Sequence, residues 1–391
     1  MKSGRWKAES EKQKMGNEKM KEALYAIALS RLSGVSMPAA IRLLQELGTA
    51  TAIYENRNSI ADIIGDSSPR LQEALLHWEE PLRRAEDELL YDQANGVIPL
   101  PWSDDHYPQR LKECPDAPVV LYYKGSADLN ALRVVSIVGT RHCTAYGQDL
   151  VRRFCQDLRS LCPETLIVSG LAYGVDINAH REALANGLPT VGVLAHGLDD
   201  LYPPRHQQTA DEMTKNGGLL TEFMSMTVID KGNFVRRNRI VAGMADATIL
   251  VESGAKGGGL ITCGIARDYN REVCAFPGHV GAPYSEGCNN LIRDNGASLI
   301  TSASDFIRIM GWQPLSTQQE QRQHIERQLF PELTDEEQAV VKLLQQTNDL
   351  QVNIIAVKSG IAIGRLTALL FGLEMKGVVK PYSGGTYHLL T

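Results

Sequence analysis

The chain has 391 residues, of which 43% are hydrophobic and 22% charged, and a formal net charge of -6. These are the values of a globular protein with room for two or three domains. Net acidity argues against a nonspecific nucleic-acid coat, so any nucleic-acid contact has to come from a local basic patch.

Residues 1–19 are rich in Lys and Glu with few apolar side chains, and they read as a disordered or helical lead-in. Residues 20–95 follow a helical pattern. Ala23, Ile27 and Leu32 begin an apolar stripe, Gly34-Val35-Ser36 interrupts it, and Ser36 is suited to cap the helix carrying Ile41, Leu44 and Leu47. Leu71, Leu75, Leu82, Leu89 and Leu90 continue the pattern, giving a small helical domain. The Gly34 turn has a faint likeness to a helix-hairpin-helix but lacks that motif's second glycine.

Residues 96–312 change period. Short apolar runs at 134–138, 166–168, 190–194, 219–223, 247–251 and 273–276 alternate with helical stretches. Near-continuous apolar runs are those of parallel strands covered on both faces, and their alternation with helices predicts βαβ units in a doubly wound sheet. Residues 313–331, rich in Gln between Pro314 and Pro331, read as a linker. Residues 332–391 predict three helices (335–346, 352–358 and 363–376) and then a hairpin turning at Ser383-Gly384-Gly385. That order is the pattern of a winged helix.

The densest basic segment is Lys231-Gly232-Asn233-Phe234-Val235-Arg236-Arg237-Asn238-Arg239, with four cations, no anion and one ring. Cations hold phosphates, and an exposed ring gives an unpaired base a surface to stack on. Four loops expected at the carboxyl ends of strands could share the task. Gly139-Thr140-Arg141 offers a close backbone approach, a hydroxyl and a guanidinium. Residues 169–176, containing Gly170, open a helix that carries Asn178 and His180. Lys256-Gly257-Gly258-Gly259, leading to Thr262, is a ready nest of backbone N–H groups at a helix start. Pro277-Gly278-His279 follows the last long strand.

Signals for other chemistry are thin. Neither a Gly-x-Gly-x-x-Gly fingerprint after the first strand nor a Walker lysine pattern occurs, so a nucleotide cofactor is not expected. Asp176 and His180 share a helix face and could do acid–base work, though a dipole-facing Asp and a hydrogen-bonded His fit as well. The seven cysteines include no Cys-x-x-Cys pair and no zinc-finger His spacing, which predicts buried free thiols and no metal site. No apolar run reaches the ~18 residues of a membrane span, and Met1-Lys2-Ser3-Gly4 opens no secretory signal, so a cytoplasmic protein is expected.

The ordered blocks of residues 96–312 resemble the bacterial DNA-processing protein A family (DprA, also called Smf). They are Ile137-Val138-Gly139-Thr140-Arg141 with Tyr146-Gly147, and Ser169-Gly170-Leu171-Ala172 with Gly174, Asp176, Ala179 and His180. Gly197-Leu198-Asp199 with Tyr202-Pro203 comes next, then Phe234 with Arg237-Asn238-Arg239, Leu260-Ile261-Thr262, Pro277-Gly278, and Asn290-Leu291-Ile292 with Gly296-Ala297. The resemblance implies an extended Rossmann-like doubly wound α/β core, a SAM-like helical N-terminal domain and a C-terminal winged helix. It implies a non-enzymatic homodimer that binds single-stranded DNA and loads the recombinase RecA in natural transformation or recombination.

Carried over by position, the family's DNA site falls on Gly139, Thr140, Arg141, Gly170, Lys231, Asn233, Phe234, Arg236, Arg237, Asn238, Arg239, Lys256, Gly257, Gly258, Gly259 and Thr262. Two departures stand out. Val235 replaces a proline after the aromatic, where a distorted site is the first expectation. Gly257-Gly258-Gly259 replaces Ser-Gly-Ser, with weaker or shifted contacts expected. A rival class is a nucleotide phosphoribohydrolase of the lysine-decarboxylase-like group, but the catalytic Glu of that group's motif has no counterpart after Thr262. A third reading makes the winged helix a duplex reader, yet residues 363–376 carry only Arg365 and Lys376 as cations.

Overall fold

The computed structural model describes residues 2–63, 68–314, 333–382 and 385–390. The expected linker at 313–331 lies outside them apart from its first two residues, as do Ser383 and Gly384 of the expected hairpin turn. The chain divides into two compact units, Met1–Leu315 and Ser316–Thr391.

The first unit is built on a nine-stranded sheet of order β1-β2-β6-β5-β4-β3-β7-β8-β9. Its strands are β1 (Ile98–Pro101), β2 (Val120–Gly125), β3 (Val134–Val138), β4 (Leu166–Ser169), β5 (Thr190–Val193), β6 (Gly217–Thr221), β7 (Ala247–Leu250), β8 (Glu272–Ala275) and β9 (Ser298–Leu299). From β6 to β9 every pairing is parallel, while β1 and β2 extend the sheet in antiparallel fashion beyond β6. All six expected runs are strands. The other three were hidden for local reasons: β1 is an edge with two prolines, β2 carries a polar end at Lys124, and β9 is two residues long.

Helices cover both faces of the parallel strands. Val134, Val138 and Leu250 pack with Ile240 and Val241 on one side, and Val135, Ile137 and Ile249 pack with Val151, Phe154 and Leu158 on the other. A buried polar pair, Ser136 donating to Thr248 Oγ1 at 2.7 Å, stitches β3 to β7 between these layers. The N-terminal helices share a further core with the sheet: Ile27, Leu43, Leu44 and Trp78 pack with Val97, Val120 and Tyr122. The lead-in is helical, since the first helix runs Lys2–Arg31.

The second unit has helices Asp335–Gln346, Val352–Ser359 and Ile363–Met375 around Val340, Leu344, Ile355, Leu366 and Leu370. A capping box of Thr334 and Glu337 starts the first helix. Strands β10 (Leu350–Gln351), β11 (Val379–Tyr382) and β12 (Thr386–Leu389) form a three-stranded sheet of order β10-β12-β11, so the unit is a winged helix. The cations of its third helical segment are tied to the first helix. Arg365 pairs with Glu336 at 2.8 Å and Lys376 with Glu337 at 2.7 Å. Ile363, Phe371 and Met375 are exposed on that segment.

The helix Glu79–Asn95 ends in a buried acidic cluster with Glu88 and Asp92, 1% and 2% exposed. Glu88 accepts from the N–H and hydroxyl of Ser225 at 2.7 and 2.5 Å and pairs with Arg84 at 2.8 Å. Neither carboxylate oxygen of Asp92 has a partner among the described residues. Burial, then the Glu88 charge, push Asp92 up to about 8. The C-terminal end of the helix dipole acts in the same direction. An unfolded aspartate titrates near ~3.9, so between there and about pH 8 only the folded chain holds this proton. Stability from this group is complete below that window and is lost as pH rises through it. Asp92→Asn is therefore expected to raise the melting temperature by a few degrees at about pH 8 and to leave it unchanged near pH ~4. Equal shifts at both pH values would show that the carboxyl is not titrating there.

Candidate nucleic-acid interface

The chain builds β3, β4, β5 and β6 outward in one direction, then crosses to place β7 on the other side of β3. Strand order reverses beside β3, and open α/β sheets bind ligands in the crevice at such a point. A cavity of about 420 Å³ lies there, and the loops after β3, β4 and β7 and the helix Lys231–Gly243 line it.

Glycines let these loops converge. A Cβ on Gly139 would lie 2.5 Å from Val175 Cγ2 and 2.8 Å from the Glu252 carbonyl oxygen. With no Cβ there, Thr140 N–H donates to that same carbonyl at 2.7 Å, locking the β3 loop to the β7 loop. Gly174, with φ +79°, passes so close to Thr140 and Arg141 that a Cβ would overlap their backbone. The helix Gly258–Asp268 starts at Gly257 with no side-chain cap. Its first-turn N–H groups are therefore free of intrahelical partners and aligned with the positive end of the dipole.

Two glycines stand where the family pattern has serines, and both are closely packed. A Cβ at Gly257 would stand 2.8 Å from Ser253 Oγ, and one at Gly259 2.8 Å from Leu250 Cδ1 and 3.1 Å from Gly139 Cα. The nest packs here at a distance that leaves backbone N–H groups as its donors. Nor does Val235 distort its surroundings: the helix Lys231–Gly243 runs unbroken through it, and Val235 is half-exposed on the cavity wall.

The basic segment is this helix, capped by Asp230, whose carboxylate accepts from Gly232 N–H at 2.7 Å. Helical spacing sends its cations to different places. Arg237 is 4% exposed and donates to the carbonyls of Gly170 and Val193. Burial lowers it to about 10, with the nearby Asp176 charge acting against that fall. Arg239 is 7% exposed and bound to the buried Glu222 carboxylate at 2.5 Å and to the Asp116 carbonyl. Arg236 is exposed but also pairs with Glu222, at 2.8 Å. Of the cations that the resemblance assigns to the DNA site on this helix, Arg236 is exposed, while Arg237 and Arg239 are buried. Both are held by internal acceptors, and Arg237 still contributes to the cavity wall while Arg239 does not.

The ring of Phe234 lies on the cavity wall, half-buried, with the Arg141 guanidinium carbon 5.6 Å from its centroid. Tyr202 meets Phe234 edge-to-face, at 5.8 Å and 72°. Gly139, Thr140, Arg141, Gly170, Phe234, Arg237, Asn238, Lys256, Gly257, Gly258, Gly259 and Thr262 come together around the cavity. Lys231, Asn233, Arg236 and Arg239 do not line it. Asn233 and Arg236 border a separate groove with Arg31 and Phe223. The cavity also takes in His142, Tyr173 and Tyr284, which sequence reasoning did not select. His142 and Tyr173 adjoin motif residues and could have been included. Tyr284 carries no local signal; it is brought in by a hydrogen bond from Ser253 N–H to its carbonyl at 2.7 Å.

Of the groups that could serve acid–base chemistry, Asp176 and His142 line the cavity, and His180, Glu222 and Glu252 are engaged away from it. His180 is fully buried, bonds Thr190 Oγ1 at 2.7 Å, and is lowered to about 3 by burial and then by the charges of Arg237 and His206. It stays neutral at ordinary pH and does not pair with Asp176, which accepts from Gly170 N–H at 3.2 Å. Glu252 accepts from Thr144 N–H and Oγ1–H at 2.8 and 2.6 Å and so anchors the start of the helix Ala145–Leu161. Burial pushes Glu222 up, and the guanidinium groups of Arg239 and Arg236 pull it back.

Removing Arg239 strands most of a buried negative charge. Arg239→Met is expected to destabilise the fold by about 3 kcal/mol, read as a lower urea midpoint. A loss below about 1 kcal/mol, the scale of an exposed pair, would count against a structural role.

Residues 99–311 match the family model described as DNA recombination-mediator protein A, and residues 326–385 match that of the DprA winged helix domain. The DNA processing protein DprA of Streptococcus pneumoniae is 35% identical over 74% of this chain and 98% of its own length. Protein Smf of Synechocystis is 29% identical over 94% of this chain and 98% of its own. Among solved structures, the X-ray structure of the Streptococcus pneumoniae protein covers 73% of this chain and 97% of its own, at 33% identity and TM-score 0.61. DNA processing protein A of Helicobacter pylori, in a structure described as giving insights into its unique single-stranded DNA binding mode, covers 55% and 95%, at 28% identity and TM-score 0.50. With this sheet, this switch-point cavity and these matches, the chain belongs to the DNA recombination-mediator protein A family.

Proposed function

We propose that the switch-point cavity binds single-stranded DNA and that the protein is a binding protein without catalytic turnover, acting in DNA processing for transformation and recombination. The observation that carries this reading is the uncapped helix start at Gly257, Gly258 and Gly259, with Arg141, Lys256 and the Phe234 ring around the same cavity. Backbone donors and two cations suit a phosphate, and the ring beside them suits an unpaired base. A duplex keeps its bases stacked inside and has nothing to offer Phe234. The Helicobacter pylori relative, whose structure is described by its single-stranded DNA binding mode, supports the same ligand class.

In this reading Arg141 and Lys256 hold phosphates beside the nest, Thr140, Asn238 and Thr262 lend polar contacts, and Phe234 stacks on a base. Lys231, Asn233 and Arg236 act outside the cavity, along the helix that leads to it. Family membership supports a homodimer in the cytoplasm that loads RecA onto the strand. Two cavities on one particle would strengthen binding to a long strand by avidity alone. The domain boundaries that go with this reading are a helical SAM-like part at 20–95, the DNA-binding core at 96–312, a linker at 313–331 and the winged helix at 332–391.

Binding to single and double strands across a salt series, with and without RecA, tests the reading. The single strand should bind more tightly, and the protein should speed RecA assembly on it. Arg141→Ala should weaken binding and reduce the log–log salt slope by about 0.7, one phosphate's worth on a single strand. Phe234→Ala should cost about 1–3 kcal/mol with the slope unchanged. Unchanged affinity and slope in Arg141→Ala would remove the cavity from the DNA path.

A further inference from the structure

The order of strands in the sheet also orders the loops along its carboxyl edge. Running from β5 through β4, β3 and β7 to β8, the loops carry Tyr202 and Arg205, then Tyr173, then Arg141 and His142, then the glycine nest, then Tyr284. Neighbouring strands lie ~4.8 Å apart, so this row spans roughly 19 Å. Every loop in it but the nest's presents an aromatic ring.

The ends of the row pair rings with rings. Tyr202 is 41% exposed and packs edge-to-face on Phe234, so a base laid on Phe234 would border Tyr202 directly. At the other end Tyr284 and His142 lie nearly parallel, 6.1 Å apart and 23° between planes, both on the cavity wall. Between them Arg205 sits 5.7 Å from the Tyr173 ring centroid. The loop carrying Tyr202 also holds the exposed Asp199 and Asp200. Their charges offset that of Arg205 in the same loop, which leaves the Tyr202 ring as its exposed aromatic group.

We propose that the strand runs along this edge and that Tyr202 and Tyr284 are further base-stacking platforms at its two ends, beyond the Phe234 position. The inference rests on the single-strand reading and extends it from one cavity to a track. Stacking platforms act on bases and not on phosphates, which separates them from the cations in a direct way.

The test uses the full chain with two probes, a long oligodeoxythymidine and a strand of equal length made of abasic residues. Tyr202→Ala and Tyr284→Ala should each lose about tenfold in affinity for the thymidine strand. Neither should change affinity for the abasic strand or the salt slope, and Tyr202→Phe should bind as the parent does. The proposal is overturned if the alanine variants bind oligodeoxythymidine as tightly as the parent, if they lose equally on both probes, or if the parent does not distinguish the probes. Thermal melting checks the fold of each variant. Should Tyr202→Ala not fold, Tyr202→Leu keeps the apolar contact with Phe234 while removing the flat ring, and the same outcomes apply. Failure of the parent to bind oligodeoxythymidine at all would instead overturn the single-strand reading.

Discussion

The site depends on how closely three stretches of backbone approach one another at the switch point. Gly139 leaves room for Val175 and the Glu252 carbonyl, Gly174 for the backbone of Thr140 and Arg141, and Gly259 for Gly139 itself. A side chain at Gly139 or Gly174 would meet backbone and push the loops apart. The approach is held by the Thr140–Glu252 backbone bond and by the Glu252 carboxylate on Thr144. As a result the uncapped helix start at Gly257 and the guanidinium of Arg141 share one cavity, although their strands are far apart in sequence.

The same compactness divides the arginines. A parallel sheet buried on both faces leaves carbonyls and a carboxylate near its carboxyl edge, and these need donors. Arg237 satisfies the carbonyls of Gly170 and Val193, and Arg239 satisfies Glu222. Arg141 and Arg236 remain exposed. A helix turns its residues by about 100° each, so adjacent cations in one basic run cannot all face one ligand. In a chain of net charge -6, Arg141, Lys231, Arg236 and Lys256 are cations of these loops and this helix that reach the solvent.

What the cavity offers is recognition chemistry: N–H groups, cations and rings. Three groups that could transfer protons are held away from it, His180 as a neutral imidazole on Thr190, Glu222 on two arginines and Glu252 on a helix start, while Asp176 and His142 lie on its wall. The third helical segment of the winged helix exposes Phe371 and Met375, and its Arg365 and Lys376 pair with Glu336 and Glu337.

The sequence by itself determined the α/β class, the six core strands from β3 to β8 and the winged helix, because apolar periodicity and turn glycines are local signals. Its motif blocks also pointed to Gly139, Arg141, Phe234 and the nest at Gly257, Gly258 and Gly259, all of which meet at the cavity. Local signals did not reveal β1, β2 and β9, which are short, proline-bearing or at edges. They also could not sort Arg237 and Arg239 from Arg141, since burial depends on which carbonyl or carboxylate lies opposite in space. Tyr284 joins the site through a backbone bond to Ser253, and Tyr202 through its packing on Phe234. Tertiary structure alone decided those memberships: a parallel sheet orders its loops by strand position and not by chain position, and that order sets which side chains share an edge.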